Sequence, residues 1–163
     1  MNVTPAPETI EVTDVARTTW HKILVVEDFP HFRVVVCSLL AQRPEFLVTE
    51  ACDGLEAVQK AAALQPDLVL LDIGLPNLNG MEVARRIGKL APTAKILFLS
   101  QESSPDIVRE TLMLGALGYI HKSHAGGELL HAIDTVLEGR RFVSTGLELN
   151  SASDRLTQTP QRN

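Results

Sequence analysis

Short apolar runs alternate with helical stripes along most of this chain. Ile23-Leu24-Val25-Val26, Leu68-Val69-Leu70-Leu71 and Ile96-Leu97-Phe98-Leu99 have no polar face. As strands they must therefore be covered on both sides. The segments between and after them place apolar residues at the three- and four-residue spacing of one helix face. These stripes are Phe32, Val35, Val36, Leu39 and Leu40; Leu55, Val58, Ala61 and Ala62; Val83, Ala84 and Ile87; Ile107, Val108, Thr111 and Leu112; and Leu129, Leu130, Ile133 and Leu137. The pattern predicts strands over 22–27, 46–51, 67–72, 94–100 and 117–121, and helices that include 54–64, 80–90 and 126–137. Pro30 and Pro105 suit first helical turns, and Asp28 is placed to cap the first helix.

Five strand and helix units in strict alternation imply an α/β fold, a parallel sheet inside two helical layers. Right-handed crossovers leave the three-layer, flavodoxin-like (βα)5 order 2-1-3-4-5 as the expectation. Residues 1–20, with Pro5, Pro7 and no periodicity, read as a flexible extension whose Trp20 packs against the domain edge. The domain is expected over 21–146, followed by a polar tail over 147–163.

The apolar runs stop at chemically pointed places. The first runs into Glu27-Asp28, the third strand ends in Asp72, the fourth in Ser100, and Gly118-Tyr119-Ile120 leads through His121 to Lys122. In a parallel sheet these carboxyl ends share one rim, so three carboxylates, a hydroxyl and an ammonium converge on one crevice. Carboxylates that close repel one another, and a divalent cation removes the conflict. Magnesium, which takes oxygen ligands and keeps several waters, fits this inventory better than zinc, whose Cys and His spacings are absent.

Composition narrows the alternatives. The chain has 163 residues, a net charge of -5 and only two adjacent basic pairs, Arg85-Arg86 and Arg140-Arg141. It has no broad electrostatic footprint for nucleic acid. No apolar run reaches the length of a membrane span or a signal peptide. Two cysteines, Cys37 and Cys52, lie in apolar stretches and read as buried free thiols, which points to a reducing, cytoplasmic setting. The five histidines form no metal-ligand pattern and are given surface and packing roles.

Over residues 22–143 the chain resembles the receiver domain of bacterial two-component response regulators. The resemblance is carried by Glu27-Asp28 after the first strand, Asp72 in Asp-Ile-Gly-Leu-Pro-Asn-Leu-Asn-Gly, Ser100, Tyr119 in the fifth strand and Lys122 three residues on. It implies that a histidine kinase or phosphotransfer protein donates a phosphoryl group to Asp72. Mg2+ would be held by Asp28, Asp72 and the main-chain carbonyl of Gly74, with Glu27 acting through water. Lys122 and Ser100 would grip the phosphoryl oxygens. Tyr119, a half-buried aromatic with its hydroxyl in water, would then turn inward and alter the face of the fourth helix, fifth strand and last helix. The expected role is a phosphorylation-dependent switch limited to self-phosphorylation and autodephosphorylation, acting on a downstream effector or output domain. Homodimerisation through the last two helices is left open.

Two positions depart from the common pattern. Gln101 stands where relatives usually keep a small residue, which bears on access to the site and on phosphoryl lifetime. Ser123 stands where many have proline, so no cis peptide is expected. Ser123 and the Gly-Arg-Arg-Phe-Val-Ser segment look most like receivers of LuxR-type regulators. About twenty residues follow Val143, too few for a DNA-binding domain, so a stand-alone receiver or a fragment of a longer regulator is expected. A nucleophilic-aspartate phosphatase would want a second aspartate at position 74, which is glycine. A nucleotide module would want a glycine-rich loop where Glu-Asp-Phe-Pro repels phosphate.

Overall fold

A computed structural model describes residues 18–147. The elements run β1 His21–Val26, α1 Pro30–Leu40, β2 Phe46–Ala51, α2 Gly54–Leu64, β3 Leu68–Asp72, α3 Gly80–Leu90, β4 Lys95–Ser100, α4 Pro105–Met113 and β5 Gly118–His121. A 3-10 turn at Lys122–His124, α5 Ala125–Leu137 and β6 Phe142–Val143 complete the order. Every strand pair is parallel and the sheet order is β2-β1-β3-β4-β5-β6. The expected 2-1-3-4-5 order is present, extended by one short strand that the sequence pattern did not predict. Element ends differ from expectation by one residue at several places, the usual scale of fraying.

Alternation along the strands divides the core between the two faces. Leu24, Val26, Val69, Leu71 and Phe98 pack under α2, α3 and α4, while Ile23, Val25, Leu68, Leu70, Leu97 and Leu99 pack under α1 and α5. All five residues of β3 are buried, as a central strand covered on both sides requires. A rigid middle strand therefore delivers Asp72 to the carboxyl rim.

Local chemistry sets the helix starts. Asp53 accepts from Glu56 N at 2.8 Å while Glu56 accepts from Cys52 N at 2.9 Å, a reciprocal cap for α2. Asn79 caps α3 through Glu82 N. Asp28 does not cap α1: Phe29 is the N-cap residue, without a side-chain bond, and Pro30 opens the helix. The Asp28 carboxylate instead belongs to the acidic cluster described below.

Other expectations are corrected. Val35 and Leu55 are exposed, because α1 buries Val36 and Leu40, and α2 approaches the sheet through Gly54, Ala57 and Ala61. That approach is close: a Cβ on Gly54 would lie 2.7 Å from the Leu78 carbonyl. Trp20 is 57% exposed rather than packed on the domain edge, where His21 already meets the Phe46 ring edge-on at 6.2 Å. Both cysteines are free, but Cys37 is half-buried and Cys52 exposed. The described residues contain no cis peptide bond and no helix long and apolar enough to cross a membrane. Of the extension expected over 1–20 only residues 18–20 are described, and of the tail over 147–163 only Leu147.

Candidate functional site

β1, β3, β4 and β5 each deliver a polar group to the same rim. Oxygens of Glu27, Asp28 and Asp72 lie within 4.8 Å of one another. Lys122 Nζ stands 2.8 Å from Glu27 Oε2 and 3.1 Å from Asp72 Oδ2. The same ammonium stands over the Phe32 ring, 4.7 Å from the centroid, a cation–π contact. Asp72 is 6% exposed. It lines a cavity of about 400 Å³ together with Glu27, Asp28, Gly74, Ser100 and Lys122. Groups separated by nearly a hundred positions in the chain thus meet around one opening.

Main-chain donors hold the carboxylates in place. Gly74 N donates to Asp72 Oδ1 at 3.1 Å, and Phe29 N donates to Glu27 Oε1 at 3.1 Å. Arg33 Nη1 donates to the Glu27 carbonyl at 2.8 Å while its Nε pairs with Glu50 at 3.2 Å, tying the ends of β1 and β2 together. Arg33, and the place of Phe32 at the rim, escaped the reading of the sequence because their contacts depend on where α1 docks. No local pattern announces that placement.

Charge at the rim is unbalanced. Three carboxylates against one ammonium leave a formal charge of -2. Burial pushes the Glu27 carboxyl above its ordinary range; Lys122 and the Phe29 amide pull it down, and Asp72 pushes it up. Glu27 Oε2 has the Lys122 ammonium as its facing partner. Hard oxygen donors sharing one rim and two surplus negative charges together fit a small divalent cation.

Ser100 is buried at the end of β4, its Oγ accepts from Glu102 N at 3.0 Å, and its hydroxyl lies in hydrogen-bond reach of Tyr119. Tyr119 departs from expectation. It is 0% exposed, and its hydroxyl donates to the Glu102 carbonyl at 2.8 Å instead of reaching water. The ring packs in the cluster with Phe98, Val108 and Leu112, against which Val143 also lies; β6 pairs with β5 through Gly118↔Phe142 and Tyr119↔Val143, and Ser144 N donates to the Tyr119 carbonyl at 2.8 Å. Burial raises the Tyr119 hydroxyl above its ordinary pKa. Gln101 is exposed at the mouth of the cavity.

The family model of the response regulator receiver domain matches residues 23–134. A putative transcriptional regulator of Pseudomonas aeruginosa is 39% identical over 126 residues, 77% of this chain and 60% of that protein. The transcriptional activator protein ExaE of Pseudomonas putida is 34% identical over 126 residues, again 77% of this chain and 59% of that protein. The chain thus spans less than two thirds of the length of these relatives. Among solved structures, a two-component response regulator of the LuxR family from Aurantimonas sp. SI85-9A1 superposes with a TM-score of 0.76 at 32% identity, covering 83% of this chain and 98% of that one.

Proposed function

This chain belongs to the response regulator receiver domain family, and we propose that it is the phospho-accepting receiver of a two-component phosphorelay, with Asp72 as acceptor. The observation that carries the reading is the Lys122 ammonium lodged between Glu27 and Asp72 in a cavity whose three carboxylates share one rim.

In the transfer, the phosphorus–nitrogen bond of a partner's phosphohistidine breaks and a phosphorus–oxygen bond to the Asp72 carboxylate forms, the imidazole leaving with the electron pair. Asp28, Asp72 and the Gly74 carbonyl would hold Mg2+, with Glu27 acting through water. When bound, the cation neutralises charge on the transferring group. Lys122, paired with Asp72 before transfer, turns to a phosphoryl oxygen afterwards. Ser100 donates its hydroxyl proton to another.

The same bonds supply the switch. Ser100 accepts from Glu102 N, and the Glu102 carbonyl holds Tyr119, so drawing Ser100 toward the phosphoryl group disturbs the loop before α4 and the face formed by α4, β5 and α5. Moving a population from 1:99 to 99:1 takes about 5.5 kcal/mol, within reach of a few charge-assisted bonds at roughly 1.5–3 kcal/mol each. The partners are a histidine kinase or phosphotransfer protein upstream and an effector or output domain downstream, in the cytoplasm.

Incubation with acetyl phosphate and Mg2+, followed by intact mass, tests the reading. The native chain is expected to gain one phosphoryl group and Asp72→Asn none. A gain in both variants removes Asp72 as the acceptor, and a gain in neither leaves a module that only binds partners.

A further inference from the structure

His121 sits directly opposite Ser100 in the β4–β5 ladder, and both of its ring nitrogens are engaged. Nε2 lies 3.0 Å from the Gln101 carbonyl, while Nδ1 lies 3.2 Å from Ser123 N and 2.6 Å from Ser123 Oγ. A carbonyl can only accept and an amide can only donate, so the proton belongs on Nε2 and the lone pair on Nδ1. The ring is thereby oriented from the Lys122–His124 turn and donates to the peptide that follows Ser100.

That peptide occupies a particular place. Gln101 lines the acidic cavity on one side and, on the other, an apolar groove of about 460 Å³ formed with Phe29, Phe32, His121, Lys122 and Ser123. The loop beyond Ser100 is held at three successive points: His121 to the Gln101 carbonyl, Ser100 Oγ to the Glu102 amide, and Tyr119 to the Glu102 carbonyl. The first two fall on one planar peptide unit, its Gln101 carbonyl held by His121 and its Glu102 amide by Ser100, and the His121 hold comes from the residue next to Lys122. The exposed Gln101 side chain cannot hold that position by burial.

We propose that His121 is a positioning residue for the acceptor site: by holding the Gln101 peptide, which with Phe29 and Lys122 lines both cavity and groove, it sets how freely phosphodonor and water reach Asp72. The proposal rests on the phospho-acceptor reading of Asp72. Because the brace acts on access rather than on the grip of the phosphoryl group, both directions respond together. Loosening the wall speeds labelling by a small donor and hydrolysis of the aspartyl phosphate alike.

The experiment uses the full chain with acetyl phosphate and Mg2+, measuring by intact mass the rate of labelling and, after donor removal, the rate of loss. His121→Leu keeps bulk but no donor and is expected to raise both rates about fivefold, the weight of one neutral hydrogen bond. His121→Gln, whose amide nitrogen can reach the same carbonyl, is expected to restore native rates. Unchanged rates in His121→Leu, a change in only one of the two, or failure of Gln to rescue overturns the proposal. Amide hydrogen exchange over residues 101–104, measured without phosphodonor, gives a second readout and is expected to quicken in His121→Leu. If no variant is phosphorylated, the Asp72 reading fails while exchange still decides the brace. Should His121→Leu lose its cooperative melt, His121→Asn, too short to reach Gln101, takes its place with the same expected outcomes.

Discussion

The Tyr119 hydroxyl donates to the main-chain carbonyl of Glu102 across 2.8 Å, joining β5 to the loop that follows Ser100. Because the ring is fully buried, the hydroxyl has no water to turn to when the bond opens, so the bond holds the loop rather than decorating it.

Tyr119→Phe removes the donor while keeping the ring. It is expected to cost about 1 kcal/mol, the net worth of one such bond, read as a shifted urea midpoint with an unchanged slope. Amide exchange at residues 102–104 should quicken in the same variant. A variant as stable as the native chain, with unaltered exchange, would show that the loop is held without Tyr119.

The same burial makes the single tyrosine a pH reporter. Its folded pKa is raised above the ordinary value of 10.0, first by burial. The folded state therefore binds the proton more tightly than the unfolded state. The resulting stability is fully present below pH 10 and is lost as pH rises through the folded value. Absorbance at 295 nm should show phenolate forming above 10 in the folded chain and near 10 in urea. Coincident titrations in the two states would contradict the buried geometry.

How far the site could be read beforehand depends on what each residue relies upon. Glu27, Asp28, Asp72, Ser100 and Lys122 stand at or next to the ends of apolar runs, and a parallel sheet converts that sequence position into a shared rim. The order of the first five strands follows from the same alternation. Tyr119's inward turn was not legible because it depends on how α4 packs and on the Glu102 carbonyl that holds the hydroxyl. Residues such as Arg33 and His121 act through main-chain carbonyls, and a carbonyl carries no signature in the sequence. The misread stripes of α1 and α2 share a cause: Val35 and Leu55 are apolar, but each helix turns a neighbouring set of residues toward the core.

Two glycines of α3 should respond with opposite signs. An added Cβ on Gly80 would lie 2.1 Å from the Asp72 carbonyl oxygen and 2.7 Å from Ile73 Cα, whereas Gly88 has nothing within 4 Å. Gly88→Ala should therefore gain up to about 1 kcal/mol from helix propensity alone. Gly80→Ala should lose roughly 1–3 kcal/mol, because rigid backbone must move to admit the methyl. The displaced backbone carries Asp72, so Gly80→Ala should also slow labelling by acetyl phosphate. Thermal melts of the two variants beside the native chain decide the signs.

The two thiols should separate cleanly on alkylation. Burial, followed by the nearby Glu50 carboxylate, pushes Cys37 up to about 11, so at pH 8 only about one molecule in a thousand carries the reactive thiolate there. Cys52 is exposed. Iodoacetamide at pH 8 should modify Cys52 first and leave Cys37 until the chain is unfolded, as read by peptide mass. Equal labelling of both thiols in the folded chain would refute the burial argument.

Lys122 holds two carboxylates at once, and its removal tests the acidic rim without any phosphodonor. Glu27 is 1% exposed and its Oε2 has the ammonium as its facing charge, so Lys122→Met leaves a buried carboxylate uncompensated beside Asp72. Methionine fills similar space without charge, so the loss is electrostatic rather than a cavity. In chelator and at neutral pH the variant should be less stable by about 3 kcal/mol, the scale for breaking a buried pair. Glu27→Gln in the Lys122→Met background removes the stranded charge and should return part of that loss. Glu27→Gln is then more favourable in the Lys122→Met background than in the native chain, the non-additivity that residues in contact produce. Urea unfolding of the four proteins closes the cycle. Additive losses would mean that Lys122 and Glu27 do not share a charge environment, and the cavity would then lose the electrostatic logic on which the proposed acceptor role of Asp72 depends.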